Sequence, residues 1–161
     1  MLANYVQNTC QKIISGGQTG VDRGALDACL EQEFPCGGWC PKGRIAEDGI
    51  IEEKYPLQET DKTDYASRTR KNVADSDGTL ILFHENIAGG TKLTLELALN
   101  YNKPLLTISD KEKGNNIIDI LNWIVENNIV ILNVAGPRKS EWETGYQFAR
   151  KLIANIIKTR F

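Results

Sequence analysis

The chain has 161 residues, the length of one domain of ordinary size, and a domain of that size needs neither a disulfide nor a metal to hold its core. Hydrophobic residues at 41% and charged residues at 25% exclude a disordered chain, and a formal charge of −2 excludes a global field drawing it to nucleic acid or anionic lipid. No apolar run approaches the roughly 20 residues of a bilayer span. The start MLANYVQNTCQ lacks a basic n-region and an apolar h-region, so the expectation is a cytoplasmic protein with reduced thiols.

In chain order, residues 12–15 form a short β-rich run ending in Gly16-Gly17, the mark of a buried strand. From 20 to 32, Val21, Ala25, Ala28 and Cys29 recur at helical spacing. A short second strand is expected within 34–41. Residues 42–61 carry Gly, Pro and many charges and read as a long loop with at most one helical turn, functional or mobile. Residues 63–74 predict a polar helix and 78–83 the clearest strand. Glycines at 89 and 90 precede a helix over about 92–101, and 104–108 is the next strand. Ile117, Ile120, Leu121 and Ile124 give 116–126 one apolar face. Residues 129–134 are a fifth strand, ending at Gly136-Pro137-Arg138. Ser140 with Glu143 reads as a capping box opening a last helix that buries Trp142, Tyr146, Ala149, Ile153 and Ile156. Strands alternating with helices predict an α/β sandwich: a mostly parallel sheet of about five strands with helices on both faces. The expected strand order is 2-1-3-4-5.

Ligands of such sheets bind beyond the carboxyl ends of the strands, where the strand order reverses. Three segments end a strand with glycine there: Gly16-Gly17-Gln18-Thr19-Gly20, Gly89-Gly90-Thr91 and Gly136-Pro137-Arg138. Glycine lets a phosphate approach backbone N–H groups, and the following helix turns its free N–H groups and positive dipole end toward the anion. Gln18, Thr19 and Thr91 add side-chain donors. The spacing matches neither the dinucleotide fingerprint nor a Walker loop.

Asp22-Arg23 reads as an exposed ion pair or as polar groups on the crevice wall. Trp39, followed by Lys42 and Arg44, could stack a flat ring beside two cations, or pack in the core next to a solvated loop. Arg68 and Asn72 share a helix face that either caps the crevice or faces solvent. Glu96 is a surface glutamate or a carboxylate acting on a ribose or glycosidic bond. His84 has no neighbour marking a triad. The pair Cys36 and Cys40 lacks the further ligands of a zinc site, so no metal is expected and both thiols read as small residues in or beside a strand.

The segment Ser15-Gly16-Gly17-Gln18-Thr19-Gly20-Val21-Asp22-Arg23-Gly24-Ala25-Leu26 resembles the opening of the molybdenum carrier proteins, a circularly permuted, YpsA-like branch of the SLOG superfamily, which also holds the LOG-type, lysine-decarboxylase-like proteins. Gly38–Arg44, Tyr65–Val73, Gly89–Thr94 and Gly136–Arg138 agree with it, so the resemblance spans nearly the whole chain. It implies a Rossmann-like three-layer sandwich, a homo-oligomer (dimer or tetramer), and a small-molecule ligand rather than nucleic acid or a membrane. The ligand implied is the molybdenum cofactor, a phosphate-bearing pterin, or another nucleotide. Its expected contacts are the glycine turns with Thr91 and Thr94, a ring toward Trp39, and charge neutralisation by Lys42, Arg68 and Arg138. LOG-type relatives are nucleoside monophosphate phosphoribohydrolases. Gly89, Gly90 and Glu96 match their signature, while Lys92 and Leu93 replace its third glycine and its threonine. The alternatives are therefore a hydrolase using Glu96 and a nucleotide sensor without turnover.

Overall fold

In chain order the elements are β1 (Lys12–Ile14), α1 (Val21–Glu31), β2 (Cys36–Gly37), β3 (Trp39–Cys40), β4 (Ile45–Ala46), β5 (Gly49–Ile50), β6 (Gln58–Glu59), α2 (Tyr65–Asp75), β7 (Gly78–Phe83), α3 (Gly89–Asn100), β8 (Leu105–Ser109), α4 (Asn116–Glu126), β9 (Ile131–Ala135) and α5 (Gly145–Lys158). They come from a computed structural model that describes residues 9–112 and 116–159. The stretch MLANYVQN, on which the reading of the amino terminus partly rests, lies outside them. Among the described residues no helix is long and apolar enough to cross a membrane.

The apolar runs find their hydrogen-bond partners in one five-stranded sheet, and each of its four pairings is parallel. Strand periodicity sends alternate residues of β7 to opposite faces. Leu80 and Leu82 join Val21 and Ala25 of α1, Ile120 and Ile124 of α4, and Ile153 and Ile156 of α5 in one core. On the other face Val73 of α2 packs with Leu97 and Ala98 of α3, with Leu105 of β8 against them. Helices thus cover both faces, and the fold is the expected α/β three-layer sandwich.

The order of the strands is not the expected one. The sheet reads β2-β1-β9-β7-β8, so the fifth strand of the sheet lies between the first and the third. β9 pairs with β1 through Ile13↔Leu132 and with β7 through Thr79↔Asn133. Leu132, Asn133 and Val134 are buried accordingly. If the strands are numbered from β7, the order becomes 2-1-3-4-5, a doubly wound arrangement whose reversal lies between β7 and β9. Of the expected neighbours, β2 with β1 and β7 with β8 are found, whereas β1 beside β7 and β8 beside β9 are not, because β9 separates β1 from β7.

Three local expectations also change. Residues 42–61 are built rather than loose: β4 and β5 pair antiparallel, β6 pairs with β3, and Ala46, Ile51 and Tyr55 pack with Leu26 and Cys40. α3 starts at Gly89, so both glycines lie inside its first turn. α5 starts only at Gly145. Ser140 is no cap, because its hydroxyl donates to the Glu47 carboxylate, and buried Trp142 sits in the turn before the helix.

α1 and α5 lie side by side because Gly24 has no side chain. A Cβ there would sit 2.3 Å from the Tyr146 carbonyl oxygen and 3.1 Å from Ala149 Cβ. Gly24→Ala should therefore destabilise the fold by roughly 1–3 kcal/mol through overpacking, although alanine is the better helix former. Thermal denaturation checks this: an unchanged or raised Tm would mean the helices can separate at no cost.

Candidate functional site

The carboxyl ends of β1, β9 and β7 open onto a crevice of about 180 Å³. Inserting β9 between the other two puts the Gly136 turn in the middle, with the Gly16 turn and the start of α3 on either side. Gly136 allows this approach, because a Cβ on it would lie 2.5 Å from the Leu82 carbonyl oxygen and 2.6 Å from Val21 Cγ2. Gly20, at φ +82, likewise lets the Pro137 carbonyl pass over the start of α1, where it accepts the Val21 N–H at 3.3 Å.

One wall is a buried ion pair. Arg68 Nη1 lies 3.4 Å from Asp22 Oδ2 and donates to the Gly16 carbonyl oxygen at 3.0 Å. Its guanidinium occupies the space a Gly16 side chain would need. Burial pushes the Asp22 carboxyl above its usual range. The Arg68 charge and the Gln18 N–H, donated to Oδ2 at 3.2 Å, pull it back only in part. Asn72, nearly fully buried on the same face of α2, accepts the Trp39 N–H at 2.8 Å and donates to the Trp39 carbonyl at 3.0 Å.

The opposite wall is the amino-terminal turn of α3. Its first N–H groups have no side-chain cap, and no acidic residue lies in the turn. A Cβ on Gly90 would meet nothing within 4 Å, and one on Gly89, at φ +55, only Glu141 Oε1 at 4.0 Å. Thr91, 5% exposed, lines the crevice. Its hydroxyl has no hydrogen-bond partner among the described residues. Thr94 bonds back to the Gly90 carbonyl at 3.0 Å. On the floor, Asn133 Nδ2 donates to Thr79 Oγ1 at 3.3 Å, and its Oδ1 has no partner among the described residues.

A latch closes the outer side. Glu47, at the tip of the β4–β5 hairpin, accepts the Thr19 hydroxyl, the Ser140 N–H at 3.1 Å and the Ser140 hydroxyl at 2.6 Å. Its own N–H donates to Gln18 Oε1 at 2.9 Å. Burial pushes Glu47 up, but these hydrogen bonds and the Arg138 charge outweigh it and hold the carboxyl below its usual range. Arg138, on the crevice lip, donates to Glu141 Oε1 at 2.9 Å and lies 3.6 Å from Glu47.

Of the residues singled out in the sequence, Gly16, Gln18, Asp22, Arg68, Asn72, Gly89, Gly90, Thr91, Thr94, Gly136 and Arg138 surround the crevice. The others serve elsewhere. The open side of Gly17 faces Leu57 and Ile51. Thr19 is tied to Glu47, and Lys42 is exposed. Asp22 and Arg23 do not pair with each other: Arg23 donates to the Gly17 carbonyl and pairs with Asp48 at 2.7 Å. Arg44 donates to the carbonyls of Ile51, Glu52, Tyr55 and Leu57 and so organises its own loop. Trp39 Nε1 donates to Asp75 at 2.7 Å, with the Lys71 ammonium 4.2 Å from its ring centroid. Glu96 is exposed on α3, outside the lining. His84 accepts or donates at Asp110 and stacks on Trp142. Cys36 stands against Cys29, and Cys40 packs under the hairpin.

Sequence reasoning missed Asn133, Tyr65, Thr69 and Glu141. Asn133 carried a signal, as a lone amide in the apolar run Ile-Leu-Asn-Val-Ala. Glu47 carried none, since its partners lie 28 and 93 residues away.

The family model of the circularly permutated YpsA SLOG family matches residues 13–157. The chain belongs to that family. The order of this sheet, which becomes 2-1-3-4-5 when the strands are counted from β7, is consistent with a circular permutation. A crystal structure of a protein from Syntrophus aciditrophicus SB, named "Putative molybdenum carrier protein", superposes with a TM-score of 0.91 at 44% identity, covering 94% of this chain and 97% of that one. A search of the curated proteins returned no match.

Two predictions follow from the walls of this SLOG crevice. Arg68→Met leaves Asp22 buried without its cation and should cost about 3–5 kcal/mol in urea denaturation, with part of the loss recovered by adding Asp22→Asn. Because the native state raises the Asp22 pKa, this group favours folding most below the ordinary carboxylate range, and its contribution declines as pH rises toward the raised value. In Arg68→Met that decline should extend to higher pH; an unchanged pH profile would remove Arg68 as the partner. Glu47 has the opposite sign. Its contribution is present above the ordinary range and is lost as pH falls through its lowered pKa. Acidification should therefore lower the protection factor of the Ser140 amide, its exchange rate taken relative to the intrinsic rate at each pH, and Glu47→Gln should weaken that response.

Proposed function

We propose that the crevice binds a phosphate-bearing, nucleotide-like small molecule, with its phosphate on the first turn of α3, and that its cargo is the molybdenum cofactor. The observation that carries this reading is the open side of Gly90, which no atom approaches within 4 Å, beside the unpaired hydroxyl of buried Thr91 at an uncapped helix start. Helix starts of this kind offer free N–H groups and the positive end of the dipole to an anion. Arg138 stands near enough to exchange Glu141 for a phosphate oxygen.

The enclosed volume of about 180 Å³ is below the ~300–1,000 Å³ of pockets that swallow a whole drug-sized ligand, so the charged end is enclosed and the ring lies at the mouth. The choice of molybdenum cofactor rests on the name of the Syntrophus relative together with this fit. No cysteine lines the crevice, and among the described residues no cluster of three or more His, Cys, Asp or Glu could hold a metal ion. The chain would therefore hold such a cargo through its phosphate and pterin, not through the metal. A hydrolase needs a carboxylate facing the scissile bond. Glu96 lies outside the lining, and the carboxylates on the lining, Asp22 and Glu141, are paired with Arg68 and Arg138.

Gly90→Leu tests the seat, because its Cβ would meet nothing within 4 Å and its branched end would occupy the space above the first turn of α3. Ribose 5-phosphate affinity in titration calorimetry should fall at least about tenfold while Tm moves by no more than about 2 °C. Undiminished affinity in that variant would refute the seat. Incubation with nucleoside monophosphates should release no free base, and pterin fluorescence should accompany the protein through purification.

A further inference from the structure

We infer that Tyr65 is the platform on which the planar nitrogen heterocycle of the ligand stacks, an inference that rests on the first turn of α3 being the phosphate seat. Tyr65 is the aromatic residue of the crevice lining. Trp39, the ring-stacking residue expected from the sequence, is absent from that lining, and its indole is held by Asp75 and covered by Lys71.

The backbone at Tyr65 is held by the protein itself, and its ring is contacted by Arg68. Asp64 caps α2 by accepting the Ser67 N–H at 2.9 Å and the Ser67 hydroxyl at 2.8 Å, which sets the first turn. The Tyr65 carbonyl accepts the Thr69 hydroxyl at 2.9 Å. The Arg68 guanidinium carbon lies 5.3 Å from the ring centroid, so a cation already covers part of the ring. The residue is nevertheless 36% exposed, and it is the aromatic member of a lining that otherwise combines glycine, threonine, amide and small apolar residues with the charged Asp22, Arg68, Arg138 and Glu141. α2 packs against α3, so the first turn of one helix carries the ring and the first turn of the other carries the anion seat. A flat heterocycle linked through a sugar or short chain to a phosphate spans such a pair. A pterin and a purine share this chemistry, and either face satisfies a tyrosine ring without base-specific hydrogen bonds.

Titration calorimetry with adenosine 5′-monophosphate and ribose 5-phosphate separates ring from phosphate. The wild-type protein should bind the nucleotide about tenfold more tightly than the sugar phosphate, the margin expected of one stacked base. Tyr65→Leu should erase that margin and leave ribose 5-phosphate affinity within about twofold, whereas Tyr65→Phe should keep it. The wild-type complex gives an independent reading in cross-relaxation between the adenine H2 and H8 protons and the Tyr65 ring. Equal binding of the two probes by wild type, a margin that survives in Tyr65→Leu, parallel weakening of both probes, or no adenine–Tyr65 cross-relaxation would overturn the platform. In those cases retained ribose 5-phosphate binding leaves the anion seat standing. Binding of neither probe overturns the seat and the platform with it.

Discussion

β9 hydrogen-bonds to β1 along one edge and to β7 along the other, and the site is a consequence of that double pairing. A parallel strand delivers its carboxyl end to the same side of the sheet as its neighbours, so the turns after β1, β9 and β7 emerge together. Glycine at 20 and 136 then lets those turns approach closer than any side chain would allow. Had β9 lain at the sheet edge, the Gly16 and Gly89 turns would still have met, but Arg138, Glu141 and Asn133 would lie elsewhere.

The two glycine-rich turns that look alike in sequence do different work. The turn at 16–20 is filled from inside the protein: Arg68 covers Gly16, Leu57 and Ile51 cover Gly17, and Pro137 covers Gly20. Its side chains join the hairpin to the core: Gln18 Oε1 accepts the Thr19 and Glu47 N–H groups, and the Thr19 hydroxyl donates to the Glu47 carboxylate. The turn at 89–91 is left open. One wall is thus a filled scaffold and the other an uncapped helix start, the feature on which the proposed anion seat rests.

The buried Asp22–Arg68 pair links scaffold to site. Two charges taken out of water gain little net stability, but each becomes costly once the other is removed. The pair also sets the position of α2, because Arg68 is anchored at Gly16 while Asn72, one turn on, is anchored at Trp39. The residues lining the crevice from α2 therefore keep their places without help from a ligand.

Layer architecture, helix faces and the three glycine turns were legible in the sequence because each is set by residues within a few positions: alternation along a strand, apolar spacing along a helix, a glycine at a bend. Arg68 and Asn72 were legible as a shared face for the same reason. The strand order, the closed structure of residues 42–61, the capture of Ser140 by Glu47, and the replacement of Trp39 by Tyr65 as the aromatic of the crevice were not. Each depends on partners dozens of residues apart, brought together by sheet pairing, and no local propensity distinguishes a glycine that will be covered from one that will stay open. Sequence by itself determined which segments could bring glycine turns to the carboxyl ends of the strands; the tertiary structure decided which of those turns is covered by other side chains and which stays open, because only packing determines which groups find partners inside the protein.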